Sequence, residues 1–78
     1  MFTANILLNT IEKVKTFSKL IEKADCDVDL HSERYIIDAK SIMGIFSLDL
    51  SKPIKLVAHT YDNEVIEKVL SLIKEYIV

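Results

Sequence analysis

The sequence predicts an α+β domain in which three helices lie on one face of a four-stranded sheet. Segments with apolar residues at steps of three and four indicate helices, and shorter segments with alternating apolar residues indicate strands. These segments follow in the order β, α, β, β, α, β, α, and the helices bury their apolar stripes most simply against one sheet. The chain has 78 residues, half of them hydrophobic, so residues 1–78 are expected to form a single domain.

The first strand and the first helix are predicted from the start of the chain. The opening stretch "MFTANILL" contains enough apolar and β-branched residues for a strand. Helical spacing then extends from Thr10 to Ala24, and Asn9 with Glu12 looks like a capping pair at the helix start. The residues that carry this spacing are Ile11, Val14, Phe17, Leu20, Ile21 and Ala24.

The middle of the chain predicts a hairpin. Cys26, Val28 and Leu30 alternate with polar residues, which is the period of a half-buried strand. Tyr35–Ile37 is a short neighbouring strand, although the connecting turn lacks the Asn-Gly pair typical of tight hairpins. We expect Cys26 to lie on the apolar side as a small core residue.

The last strand and the last helix are predicted from the final third of the chain. Pro53 opens the stretch "PIKLVAH", and a strand tolerates proline at its first position. The last residues, roughly fifteen of them, repeat the helical spacing after Asp62, which is suited to an N-cap. Because this spacing includes Tyr76 and Ile77, the helix is expected to extend almost to the C-terminus.

The stretch "SIMGIFSLDL" is apolar at nearly every step after Ser41. With Ser41 as N-cap, a helix from Ile42 to Leu50 would have its apolar residues over an arc of roughly 220°, against the roughly 100° that a core contact uses. Part of it must face outward. We expect Ile45 and Leu48 to point inward. The partly exposed residues Ile42, Met43 and Phe46 would then form a partner surface, unless a loop or a strand covers them.

The composition disfavours nucleic-acid and membrane partners. Ten basic and twelve acidic residues give a formal net charge of −2, the wrong sign for binding through phosphate neutralisation. No apolar stretch approaches the roughly 18 residues that span a bilayer, and no export leader opens the chain. The single cysteine, Cys26, cannot form an internal disulfide, which agrees with a reducing compartment. We therefore expect a cytoplasmic protein.

No motif indicates an enzyme, a metal site or a cofactor. Asp25, Asp27 and Asp29 imitate the start of a calcium loop, but Leu30 and Ile36 occupy the positions that need glycine and glutamate. Strand alternation explains the three acids better. The chain also lacks a glycine-rich phosphate loop, a catalytic triad and a Cys/His framework for zinc.

A line of lysines is predicted along the first helix. Lys15, Lys19 and Lys23 stand four residues apart and therefore share one face. Such a line is either a solvated face or part of a docking surface.

The stretch "KSIMGIFSL", Lys40–Leu48, resembles the regulatory-serine segment of HPr, the histidine-containing phosphocarrier of the bacterial phosphoenolpyruvate sugar phosphotransferase system. The same order of elements surrounds it, and the resemblance covers nearly the whole chain. It implies an HPr-like open-faced β-sandwich with an antiparallel sheet. In Gram-positive members, the serine that matches Ser41 is phosphorylated from ATP by HPr kinase/phosphorylase, and the product acts with a carbon-catabolite control transcription factor.

The sequence departs from this family where the phosphorylated histidine should be. At the family's spacing from Ser41 that position holds Thr10, and the arginine and the proline of the motif are replaced by Glu12 and Lys13. A threonine ester releases phosphate far less readily than a phosphohistidine, and Glu12 would repel phosphate. His31 lies on the hairpin and His59 ends the last strand, roughly 20 Å from Thr10 at 3.3 Å per residue, so neither is expected to replace the histidine.

The sequence therefore predicts an HPr-like regulatory protein that has lost phosphohistidine transfer and keeps a serine switch at Ser41. The resemblance implies protein partners, namely HPr kinase/phosphorylase and a catabolite-control transcription factor or enzyme I, which would bind through Ile42, Met43, Phe46, Lys15 and Lys19. Two alternatives remain open. One is a scaffold or homodimer that uses the apolar patch and in which Ser41 is only a helix cap. The other is a carrier that is phosphorylated at a different residue.

Overall fold

A computed structural model describes all residues from 1 to 78. The order of elements is the one that the sequence predicts. The elements are β1 (Phe2–Ile6), α1 (Ile11–Ile21), β2 (Val28–His31), β3 (Ile36–Asp38), α2 (Ile42–Phe46), β4 (Ile54–Ala58) and α3 (Asn63–Ile73). None of the helices is long and apolar enough to cross a membrane.

The four strands form one sheet in the order β1-β4-β2-β3, and all neighbouring pairs are antiparallel. Strand alternation sends one set of side chains toward the helices, and these residues join the core. The other face is open and carries Thr3, Asp29, His31, Lys55 and Val57. The fold is therefore α+β with an open-faced antiparallel sheet.

The core lies between the sheet and the helices and contains 17 buried hydrophobic residues. The first helix contributes Val14, Phe17 and Ile21, which recur at the helical period. The ring of Phe17 packs edge-to-face against Tyr76, with ring centroids 5.7 Å apart. This contact joins α1 to the C-terminal segment.

Both ends of α1 differ from the sequence-based prediction. The N-cap is Thr10, whose hydroxyl accepts a hydrogen bond from the backbone N–H of Lys13, and Asn9 and Glu12 do not form the expected capping pair. Asn9 instead accepts a hydrogen bond from the Lys13 ammonium group. The helix ends at Ile21, because Lys23 and Ala24 donate to carbonyls only three residues earlier and tighten the last turn.

The second helix is much shorter than predicted. It ends at Phe46 and not at Leu50, because the N–H groups of Ser47 and Leu48 bond to carbonyls three residues earlier. Asp49 then accepts hydrogen bonds from the N–H and the hydroxyl of Ser51, which holds the next residues in a turn. The apolar residues from Ile42 to Leu50 therefore lie partly on a short helix and partly on the loop that follows it.

The last helix also ends earlier than predicted, at Ile73. Tyr76–Val78 leaves the helix and lies beside β1, where Leu7 donates to the Tyr76 carbonyl and Val78 donates to the Asn5 carbonyl, at 2.8 and 3.0 Å. These bonds satisfy part of the outer edge of β1. The helical spacing did not distinguish this segment from a continuing helix, since Tyr76 is buried in either arrangement.

The hairpin is present, with small shifts in its strand boundaries. The first strand begins at Val28 and not at Cys26, and β3 covers Ile36–Asp38, one residue later than predicted. Tyr35 belongs to the turn, where its carbonyl accepts a hydrogen bond from the Ser32 N–H.

Candidate functional site

The hydroxyl of Ser41 is exposed at the start of α2. Its backbone is extended, and its oxygen accepts a hydrogen bond from the Gly44 N–H at 3.2 Å, as an N-cap does. Asp38 fixes the preceding turn: its carbonyl accepts from the Ser41 N–H, and its carboxylate accepts from the Lys40 N–H. The end of β3 thus positions a serine that is accessible to another protein.

Gly44 lets α2 approach β3 closely. A Cβ atom at this position would lie 3.2 Å from the Ser41 hydroxyl and 3.4 Å from Ile37. A larger residue would press on the cap and on the sheet together. The glycine is therefore important for the position of the Ser41 hydroxyl.

An apolar surface adjoins Ser41. Met43 is 78% exposed and Phe46 is 41% exposed, whereas Ile42 is half-buried against the core. Ile45 and Leu48 are buried. The burial of these five residues agrees with the arrangement expected from the sequence, even though Leu48 lies in a loop. Their role in binding a partner stays a prediction.

The first helix carries exposed positive charge. Lys15 and Lys19 are exposed on α1, which packs against α2. Neither forms an ion pair, since the ion pairs of the protein are His59–Asp29 and Lys68–Asp25. Lys23 is also exposed and follows the end of α1. The α1–α2 surface, defined here as Ile42, Met43, Phe46, Lys15 and Lys19, combines apolar side chains with free cations.

A pocket of about 330 Å³ lies at the start of α1. It is lined by Thr10, Glu12, Lys13, Thr16, Glu75 and Tyr76. Burial raises the pKa of the Tyr76 hydroxyl, and the neighbouring Glu75 raises it further. Glu75 and Tyr76 were missed in the sequence analysis, because helical spacing placed them in a continuing helix. The pocket presents hydroxyls, two carboxylates and the Lys13 side chain, and its lining contains no histidine.

The two histidines lie on the sheet, away from the Thr10 pocket. His59 Nε2 is 2.6 Å from Asp29 Oδ2, and its Nδ1 is 3.0 Å from Met1 Sδ. The prediction that His59 lies near the start of β1 is confirmed. His31 is in β2. Neither side chain lines the pocket at Thr10.

The acids near β2 have separate partners. Asp25 accepts a hydrogen bond from the Lys68 ammonium group at 2.9 Å, while Asp29 contacts His59. Cys26 is half-buried and packs against the core. Burial raises the pKa of its thiol, an effect that Lys40 partly opposes. A thiol held in this way is mostly protonated near neutral pH and a weak nucleophile.

Comparisons with solved structures identify the fold. HPr-C-His from Thermoanaerobacter tengcongensis is similar at 25% sequence identity and a TM-score of 0.73, over 96% of this chain and 93% of the other. The phosphocarrier protein HPr from Bacillus anthracis has the same fold at 21% identity and a TM-score of 0.70, with the same coverage. No protein-family model and no curated protein sequence matches the chain.

Proposed function

We propose that this chain, which has the fold of the HPr family, is a regulatory protein of the phosphotransferase system, switched by phosphorylation of Ser41. It acts in the cytoplasm through protein partners, without a cofactor, and is neither an enzyme nor a phosphohistidine carrier. The observation that supports the proposal most is the exposed Ser41 hydroxyl beside an exposed apolar surface.

The residues around Thr10 argue against phosphohistidine transfer at this position. Transfer needs a ring nitrogen that accepts and releases a phosphoryl group near neutral pH, and a cation that balances its charge. The pocket offers hydroxyls and no ring nitrogen, and its one cation, Lys13, stands against the two carboxylates of Glu12 and Glu75. A phosphate bound there would be repelled by both carboxylates. His31 and His59 lie elsewhere on the sheet.

Phosphorylation of Ser41 would act through local charge. A phosphate adds roughly −1.5 to −2 units of charge at neutral pH. It would stand beside the Gly44 N–H, which already donates to the Ser41 hydroxyl. The residue before Ser41 is Lys40, which is exposed and carries a positive charge. Because α2 has only five residues, we assign the stabilisation to these neighbours and not to a helix macrodipole.

The same phosphate would change which partner accepts the α1–α2 surface. Without it, α2 offers the apolar side chains of Met43 and Phe46, and α1, which packs against α2, offers exposed lysines. This combination suits an acidic partner such as enzyme I or HPr kinase/phosphorylase. With it, the surface suits a partner that brings a cation toward Ser41, such as a catabolite-control transcription factor.

The decisive experiment is intact-mass spectrometry with site mapping after incubation with ATP and HPr kinase/phosphorylase. We expect one added phosphate on Ser41, and none in Ser41→Ala. Ser47→Ala is the matched control, because Ser47 is an exposed serine at the other end of α2, and it should be modified as the wild type is. If authentic HPr is modified in parallel and this protein is not, the proposal is wrong.

An assay with phosphoenolpyruvate and enzyme I tests the carrier function separately. We expect no added phosphate on any residue. A gain of one phosphate there would establish a phosphocarrier that uses a residue other than the one the family uses.

The exposure of Met43 also favours a second candidate function, a scaffold that dimerises through the α1–α2 surface. In that case Met43→Lys should dissociate the dimer, and Ser41→Asp should leave it intact. Multi-angle light scattering of the two variants distinguishes this scaffold from the serine switch.

A further inference from the structure

The outer edge of β3 is free at Ile36, whereas the Asp38 carbonyl on the same edge already accepts from the Ser41 N–H. β3 is the last strand of the sheet. Hydrogen bonds from the Ser32 N–H to the Tyr35 carbonyl and from the Ala39 N–H to the Val28 carbonyl show that the backbones of Tyr35 and Ala39 face β2. Since hydrogen-bonding direction alternates along an antiparallel strand, Ile37 faces β2 and the N–H and C=O groups of Ile36 point outward. No loop, helix or turn bonds to these two groups.

The other edge of the sheet is different. There the C-terminal segment covers part of β1, through the bonds that join Leu7 to Tyr76 and Val78 to Asn5. An exposed strand edge is a template for pairing with another chain, and proteins commonly shield such edges. At the edge of β3 the comparable bond is the one from the Ser41 N–H to the Asp38 carbonyl, which leaves the backbone of Ile36 uncovered.

This edge carries an exposed apolar side chain with one cation before it and one anion after it in the sequence. Ile36 is 68% exposed, and Tyr35 beside it is also exposed. Arg34 stands two residues before Ile36, and Asp38 stands two residues after it. Arg34 forms no ion pair. One carboxylate oxygen of Asp38 accepts from the Lys40 N–H, which leaves the other free.

We propose that β3 pairs antiparallel with β3 of a second copy of this chain, about a two-fold axis at Ile36. In this register the two Ile36 residues exchange both backbone hydrogen bonds, and their side chains meet on the open face of the combined sheet. Arg34 of each copy faces Asp38 of the other, so the interface contains two symmetric ion pairs. The proposal goes beyond the function of Ser41 and does not depend on it.

Charge complementarity selects this register and this occupant. A shift of the axis to Ile37 would set Arg34 against Lys40 and Ile36 against Asp38, which opposes like charges and loses the apolar contact. The edge is thus self-complementary in one register, as an isologous interface must be.

The interface is expected to be weak and reversible. Only a three-residue strand and its flanks take part, so the buried area is smaller than that of a permanent dimer. Because Gly44 of α2 packs against Ile37, the α2 helix of each copy would lie close to the seam, on the face of the sheet opposite Ile36.

Analytical ultracentrifugation from about 10 μM to about 1 mM tests the proposal. We expect a concentration-dependent dimer that Ile36→Lys weakens at least tenfold. Ile11→Lys is the matched control, because Ile11 is 63% exposed but lies on α1, and it should dimerise as the wild type does. A monomer at every concentration would overturn the proposal, as would a dimer that tolerates Ile36→Lys.

A charge exchange tests the register. Arg34→Asp and Asp38→Arg each oppose like charges, so each should weaken the dimer about tenfold, and the double exchange should restore it. Failure of the double exchange to restore a dimer, with folding verified by circular dichroism, would refute the register. Amide exchange of the wild type gives an independent result if Asp38→Arg does not fold: the Ile36 amide should become protected as concentration rises, and constant exchange would overturn the proposal.

Discussion

Two helices of this protein begin with the same hydrogen bond but in different surroundings. Thr10 caps α1 by accepting from the Lys13 N–H at 3.1 Å, and Ser41 caps α2 by accepting from the Gly44 N–H at 3.2 Å. Both hydroxyls are exposed. Around Thr10 lie Glu12 and Glu75, in a polar pocket. Beside Ser41 lie the exposed apolar side chains of α2.

The difference shows that a capping hydroxyl does not by itself mark a phosphorylation site. Both hydroxyls suit a cap equally well, and a cap is the simplest reason for either residue. What separates them is what a phosphate would meet. At Thr10 it would meet the carboxylates of Glu12 and Glu75 as well as the Lys13 side chain. At Ser41 it would stand beside an exposed apolar surface suited to another protein.

The largest expected effect comes from rebuilding the family motif at the start of α1. We expect the combined change Thr10→His, Glu12→Arg and Lys13→Pro to create phosphoryl transfer from phosphoenolpyruvate through enzyme I, because it supplies both the ring nitrogen and the cation. Intact-mass spectrometry should show one acid-labile phosphate that the wild type lacks. Ser41→His is the matched control at the other helix start and should gain nothing. Phosphate uptake by the wild type would contradict the inference that the surroundings of Thr10 do not support phosphoryl transfer.

The next effect concerns the surface beside Ser41. Met43→Ala should lower kcat/KM for phosphorylation of Ser41 about tenfold, since truncation of a central hot-spot side chain in an interface costs more than about 1 kcal/mol. Because the Met43 side chain is exposed, the free energy of unfolding should not change. Tyr61→Ala, which removes a ring that is 84% exposed and distant in sequence from both helix starts, is the control. An unchanged kcat/KM for Met43→Ala would move the docking site elsewhere.

The sequence was sufficient to predict the order of elements and the inward and outward sides of most of them. Alternation and helical spacing are local signals, and Val14, Phe17, Ile45 and Leu48 are buried as their spacing indicates. The resemblance around Ser41 predicted the fold that the solved structures support.

Element ends were predicted less well, because distant contacts determine them. Tyr76 has helical spacing, yet its ring packs on Phe17 and its carbonyl accepts from Leu7, which lies at the other end of the chain. For the same reason, no local pattern indicates that Glu75 and Tyr76 lie beside Thr10. The unpaired edge at Ile36 depends on strand order, which a single sequence does not reveal.

A smaller effect tests the two caps directly. Thr10→Ala should lower the free energy of unfolding by about 1 kcal/mol, as loss of an N-cap does, and Ser41→Ala by about half of that because α2 is short. Thr16→Ala is the control within α1. It removes the same hydroxyl from a position that caps nothing, and alanine favours helix, so stability should stay equal or rise slightly. Urea denaturation measures all three, and equal losses at both caps would contradict this ranking.

The smallest expected effect is a loss of stability at alkaline pH, caused by ionisation of Tyr76 in the pocket at Thr10. Burial and Glu75 raise the pKa of Tyr76 in the folded protein above its value of about 10 in the unfolded chain. The stability from the neutral hydroxyl is therefore fully present below about pH 10 and is lost as pH rises through the folded pKa. Tyr76→Phe should lose less stability than the wild type between about pH 10 and pH 12. Tyr61→Phe should follow the wild type across the same range. Parallel pH curves for Tyr76→Phe and the wild type would show that this hydroxyl ionises equally easily in both states.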